Sequence, residues 1–230
     1  MIAHGSAFPV AKLALNNSVP PILMASLRMF LVFIILIPFW RFRIPSKKFF
    51  KPLLIFSISM GVLVYVFMNL SLFHSSIISP IILGSQLAIP FGILASAIIL
   101  KENISKNKWF LILTSFVGIL IIFFDPKLNE NYLGLFFASL MALFFGLAQV
   151  YSRQLKELPT SMINASTGIF GFSVLLILSI LFEGNFYKNI EQINLNSWIL
   201  IFYQAAIVSL CAHLLMFYLY KFYTVGQIFP

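Results

Sequence analysis

Few side chains in this sequence can do chemistry, and they stand far apart in apolar surroundings: Lys12, Arg28, Asn69, Gln86, Gln149 and His213. A charge or an amide at membrane depth is costly unless it faces protein or a wet cavity, so each of them needs a partner. Lys12 has two readings. Its stem can snorkel to the nearer membrane face, or its ammonium can stand beside a cavity as a fixed cation for a substrate carboxylate. For Arg28, a fork tying helix ends together through backbone carbonyls is favoured over substrate contact. Ser57, Gly61, Tyr65 and Asn69 recur at a spacing of four, giving a small-to-polar face expected to meet the next helix near Gln86. Gln86 itself lies one turn before Pro90, which lacks an N–H and bends or loosens the backbone there. Further along, Ser139, Gly146, Gln149 and Arg153 fall roughly on one face of a single helix. In the last complete helix Ser209, His213 and Tyr220 share one face, and Gln204, Cys211 and Tyr218 share another. Only one of those faces can look into a cavity, and His213 is the residue chosen, with a packing histidine as the equal alternative. The candidate substrate-binding residues are therefore Lys12, Tyr65, Asn69, Gln86, Gln149 and His213, with Pro90 as hinge and with Arg28 and Glu102 in structural or charge-setting roles.

What is missing narrows the chemistry. All six carboxylates lie in loops or at helix ends, so no buried Asp or Glu is available as a proton or sodium relay. If protons are coupled to a process in the membrane, His213 is the ordinary titrating group inside a complete span. The single Cys211 allows no intrachain disulfide, and no Cys/His cluster or acidic pair suggests a metal site or a bound cofactor. No serine has a histidine and an acid near enough in sequence to suggest a membrane protease.

These residues must be positioned by membrane helices. Of the 230 residues 61% are hydrophobic and 9% charged, with a mean hydropathy of +1.01, which leaves too little polar surface for a soluble globular domain. The net charge of +9 is spread over short loops rather than one basic face, so nucleic acid is not the expected partner. Apolar windows predict helices over 2–15, 21–40, 52–73, 78–100, 109–124, 132–152, 160–182 and 198–220, and the start of a ninth at Val225. The first is too short to span, and both ends of the chain read as truncated. Nothing at the start resembles a cleavable signal peptide. Eleven of the fifteen basic residues follow the second, fourth, sixth and eighth helices, which places those loops and the N-terminus in the cytoplasm. Trp40, Trp109 and Trp198 each fall at a helix end, as an interfacial belt requires.

The chain also resembles itself. Ala25-Ser26-Leu27-Arg28-Met29-Phe30 is echoed by Ala165-Ser166-Thr167-Gly168-Ile169-Phe170, and Leu53-Leu54-Ile55-Phe56 by Ile199-Leu200-Ile201-Phe202. Gly5 with Lys12 is spaced like Gly146 with Arg153. Five helices separate each pair, and an odd separation turns the second copy upside down, which is the inverted repeat of a secondary transporter. The expected units are residues 1–124 and residues 132–230.

Gly5-Ser6-Ala7-Phe8 leading to Lys12, then Pro20-Pro21 and Arg28, resemble the opening of the EamA-like branch of the drug/metabolite transporter superfamily. So does the run of Gln86, Pro90, Ile99-Leu100, Lys101-Glu102, Trp109 and Gly118. The resemblance implies an all-α polytopic bundle of ten helices in two inverted halves, of which about eight and the start of a ninth are present. It also implies a central cavity and export or exchange of a small metabolite, amino acids among them. The sequence departs from the family's pattern at His4, where tryptophan is frequent, and at Gly168, which stands opposite Arg28. The expected protein is a multi-pass carrier of a bacterial cytoplasmic membrane with a small-molecule substrate and lipid as its partners, working by alternating access. Its oligomeric state is left open, a monomer included. Two other readings are a membrane enzyme acting on a lipid or isoprenoid and a non-transporting remnant.

Overall fold

The computed structural model describes residues 5–39, 45–124, 131–219 and 222, apart from the side chains at 212–214, 216 and 217. Hydrocarbon offers the backbone no hydrogen-bond partners, so apolar runs of this length close their own bonds as helices. Among the described residues there is no strand. A short helix α1 (Ala7–Asn16) is followed by α2 (Pro21–Phe39), α3 (Lys47–Phe73), α4 (Ile78–Ile99), α5 (Lys106–Phe123), α6 (Tyr132–Gln154) and α7 (Thr160–Phe182). The last six are long and apolar enough to cross a membrane. A surface helix α8 (Phe186–Glu191) precedes α9, which runs Leu195–Tyr203, Gln204–His213 and Leu214–Leu219. Trp40 and the start of the ninth predicted helix lie outside the described residues.

Three local features interrupt or extend the regular helices, and the second of them is the loosening expected before Pro90. First, α3 begins at Lys47, five residues before the expected start at Pro52. Phe49 is buried while Lys47, Lys48 and Lys51 stay exposed, so an amphipathic turn precedes the proline. Second, α4 is interrupted between Ile78–Ser85 and Ala88–Ile99. The proline has no N–H for the carbonyl of Gln86, its ring crowds that same residue, and the Gln86 carbonyl accepts from Ile89 N instead, at 3.1 Å. Third, α3 and α9 each contain a π-helical stretch, Ser57–Leu63 and Gln204–His213. A π turn rotates the residues beyond it relative to an α-helix and is frequent at functional positions.

The bundle is held by close backbone approaches. The most extensive packing joins α2 to α7, and α6 lies against both α3 and α4. A Cβ on Gly146 of α6 would stand 2.6 Å from the Gly92 nitrogen of α4, and one on Gly171 of α7 would stand 2.6 Å from the Gly61 oxygen of α3. Small residues at both crossings are what allow this contact in lipid. α5 stands at the edge, with Phe110, Leu113, Val117 and Ile121 exposed. Since lipid covers such a surface, this is the expected exterior of a membrane helix and not a misfolded core.

Charged side chains close the two ends of the bundle. At one end Lys48 Nζ meets Glu157 at 2.7 Å, and Arg153 pairs with Glu102. At the other, the Glu183 carboxylate accepts from Ile22 N at 2.6 Å and Leu23 N at 2.8 Å, filling the vacant donors at the start of α2. Asn131 Oδ1 accepts from Ser75 Oγ at 2.7 Å and Ser76 N at 2.9 Å, which fixes the turn between α3 and α4 to the start of α6.

Candidate functional site

The bundle encloses a cavity midway along its spans, with about 590 Å³ of empty space counting its mouth. Its walls come from α1 (Ala7, Phe8), α2 (Arg28), α3 (Val64, Tyr65, Met68), α4 (Ser85, Gln86, Ala88, Ile89) and α6 (Met141, Phe145, Gln149). The interruption of α4 lies in this wall, so the proline-induced break shapes the cavity directly.

Among the described residues Arg28 is the one cation in the wall, and it is 3% exposed. Its Nη1 donates to Gln204 Oε1 at 2.7 Å and its Nε to Ser209 Oγ at 2.9 Å. The guanidinium also lies over the Tyr65 ring, 4.3 Å from the centroid, a stacked geometry that suits its planar charge. Its Nη2 has no hydrogen-bond partner. Gln204 is held in turn, donating from Nε2 to the Ala7 carbonyl at 2.6 Å. The π stretch of α9 explains how both acceptors reach one guanidinium. Gln204 and Ser209 are five residues apart, about 140° around an α-helix, but a helix with i→i+5 bonds carries residues five apart to the same side. Gln204 and Ser209, which periodicity assigns to separate faces of α9, thus reach the same guanidinium.

The sequence-derived candidates divide into two groups. Tyr65, Gln86 and Gln149 come together on the cavity wall, where Gln149 is fully buried and neither its Oε1 nor its Nε2 has a partner. Gln86 is exposed within that wall. Lys12 and Asn69 are engaged elsewhere. Lys12 Nζ donates to the Leu72 and Ser75 carbonyls, both at 2.7 Å, and so caps the negative end of α3. Asn69 Nδ2 donates to the Pro21 carbonyl at 2.8 Å. The face carrying Ser57, Gly61, Tyr65 and Asn69 does not meet α4 as a unit: Ser57 Oγ lies 3.1 Å from Thr167 Oγ1 of α7, and Asn69 bonds α2. The π turn between the first and last of these residues is the physical reason. The His213 side chain lies outside the described residues. Glu102 pairs with Arg153 at the end of the bundle, away from the cavity.

Sequence reasoning favours a helix tie for Arg28 over substrate contact; Arg28 ties α2 to α9, through side chains and not backbone carbonyls, and also lines the cavity. The same reasoning overlooks the apolar lining from Phe8, Met141 and Phe145. A signal was present. A lone arginine in an apolar span needs acceptors at its own depth, and Gln204 and Ser209 of α9 are side chains of that kind. Among the described residues no group of three or more His, Cys, Asp or Glu could hold a metal ion.

A bundle that is helical throughout its described residues, with six membrane-length spans among them, is a polytopic membrane protein. The family model of the EamA-like transporter family matches residues 1–124, and the chain belongs to that family. It is therefore a membrane transporter of the drug/metabolite type. No curated protein matches the chain.

Proposed function

We propose that the protein is a secondary carrier that moves a small metabolite through the midplane cavity by alternating access, as an exporter or exchanger in a bacterial cytoplasmic membrane. The observation that carries this reading is the cavity itself: an apolar chamber midway across the spans whose buried wall holds Arg28 and Gln149 with hydrogen-bonding groups left over. Buried polar groups without partners are uncommon in a structural core, and a binding site can use them. Tyr65 and Gln86 are the further wall residues proposed to contact substrate, and Pro90 is the proposed hinge.

Two observations support an inverted repeat of units 1–124 and 132–230. Each π stretch begins within two residues of the same echoed motif: Ser57 follows Leu53 to Phe56 in α3, and Gln204 follows Ile199 to Phe202 in α9 with Tyr203 between. The crossings are also reciprocal: α2 reaches the π stretch of α9 through Arg28 and Gln204, while α7 reaches that of α3 through Thr167 and Ser57. Arg28 is echoed by Gly168, the residue after Thr167, and Ser57 corresponds to Tyr203, the residue before Gln204, so the two crossings lie one residue apart in the repeats. Carriers built in this way bind at the interface of the copies and rock one against the other. With basic loops inside, the end closed by Lys48–Glu157 and Arg153–Glu102 is the cytoplasmic one, and the N-terminus is cytoplasmic as well.

The direct test compares the medium of cells carrying the full-length protein with that of cells lacking it. A small metabolite should accumulate outside only when the protein is present. Indistinguishable media, with the protein inserted and abundant, would remove the carrier reading.

A further inference from the structure

The cavity wall is electrostatically one-sided. Arg28 is a buried cation, 3% exposed, and its partners are neutral: Gln204, Ser209 and the ring of Tyr65. The ion pairs among the described residues are Lys48–Glu157 and Arg153–Glu102, both at one end of the bundle, so neither neutralises it. A charge buried without a counter-ion is costly, and a ligand that brings the opposite charge recovers that cost on binding. Two of the three guanidinium nitrogens are turned to α9, which leaves Nη2 as the group without a partner at a residue lining the cavity. The fully buried Gln149 also lines the cavity, with a free amide donor and a free carbonyl.

Resting on the carrier reading above, we propose that the cavity binds a singly charged hydrophobic carboxylate, its headgroup on Arg28 Nη2 and the Gln149 amide and its body against the apolar wall. Three features select this class. One guanidinium edge neutralises one negative charge, so a dianion would keep a second charge in low dielectric. Among the described residues no Asp or Glu lines the cavity, so the ammonium of an amino acid would meet neutral acceptors there. The rest of the wall, including Phe8, Val64, Met68, Met141 and Phe145, offers apolar surface to a hydrocarbon body rather than donors to a sugar or polyol. Arginine suits the task because it keeps its charge when buried and its planar fork matches a carboxylate.

The test uses the full chain in phosphatidylcholine nanodiscs and four probes on one skeleton: 3-phenylpropanoate, its neutral amide, 2-phenylethylamine and phenylalanine. Binding is measured by titration calorimetry with empty nanodiscs as the blank. The carboxylate should bind at least about tenfold more tightly than each of the others. In Gln149→Leu that preference should shrink by about tenfold while the thermal midpoint stays equal or rises, because an unpaired buried amide is replaced by a methyl-tipped chain of similar size. Arg28→Gln should abolish the preference. If that variant does not fold, the wild-type series and Gln149→Leu still decide. Equal or tighter binding of the amide, the amine or phenylalanine would overturn the assignment, and so would no binding of any probe. Repeating the titration with phosphatidylglycerol added tests whether a lipid headgroup is the anion: loss of 3-phenylpropanoate binding there would give the site to lipid and overturn the proposal. The carrier reading fails separately, if vesicles containing the protein exchange no more solute of any charge class than empty ones.

Discussion

At the scale of the residue, the wall separates two kinds of buried amide. Gln204 accepts from a charged guanidinium and donates to the Ala7 carbonyl, while Gln149 does neither. Replacing Gln204 by leucine removes one acceptor of a buried charge and one donor to a backbone oxygen, so Gln204→Leu should destabilise by about 1–3 kcal/mol, measured by reversible unfolding in mixed micelles. The same substitution at Gln149 should cost nothing measurable in that assay. Glu183 supplies the pH dependence. Burial pushes its carboxyl above the usual carboxylate range, and the bonds from Ile22 N, Ser179 Oγ and Leu23 N oppose that shift without cancelling it. Because the folded value exceeds the unfolded one, the folded state binds the proton more tightly. The linked stabilisation is complete below the ordinary carboxylate value and is lost as pH rises through the raised one. Thermal midpoints taken across the acid-to-neutral range should fall with rising pH, and Glu183→Gln should flatten that slope.

At the scale of the element, backbone closeness decides which glycines matter. A Cβ on Gly146 meets the Gly92 nitrogen and the Phe91 carbonyl carbon, backbone that cannot step aside, whereas one on Gly118 meets nothing within 4 Å. Gly146→Ala should therefore force α4 and α6 apart and cost about 1–3 kcal/mol, while Gly118→Ala should be neutral or gain up to about 1 kcal/mol from helix propensity. Parallel unfolding curves for the two variants check the contrast. The break in α4 makes a second prediction. Pro90→Ala restores an N–H that can reach the Gln86 carbonyl, so the two segments should join into a straighter helix. The protein should become more stable and the transported flux should fall, because the break that shapes the cavity wall is lost. A flux equal to wild type in a more stable variant would show that the break is not needed for movement.

At the scale of the whole molecule, the reciprocal crossings of α2 with α9 and of α7 with α3 support two units of opposite orientation. With the exposed Cys211 first changed to serine, a cysteine placed at Lys48 should react with an impermeant maleimide from the cytoplasmic side only, and one at Asn189 from the outside only. Labelling of both from one side would contradict the inversion and remove the basis for rocking halves. The two closed ends also differ in chemistry. One is held by ion pairs between side chains, the other by side chains bonded to helix termini, so salt should loosen the first more than the second.

Hydropathy and charge along the chain are enough to settle the class of protein and the positions of its spans. Apolar length and the distribution of charge leave no alternative to a multi-pass helical bundle, and the bounds of α7 are those read from hydropathy. The sparse polar residues are equally legible, since any amide or charge in so apolar a chain stands out. Partnership is not. A period of 3.6 assumes an unbroken α-helix, and the π stretches in α3 and α9 change the facing of every residue beyond them. It took the folded bundle to establish that Lys12 caps a helix, that Asn69 ties α3 to α2, and that Arg28 stands in the cavity wall held by two residues five apart. The physical reason is that hydropathy acts on each segment separately, whereas a buried charge is satisfied only by whatever the other helices bring to its depth.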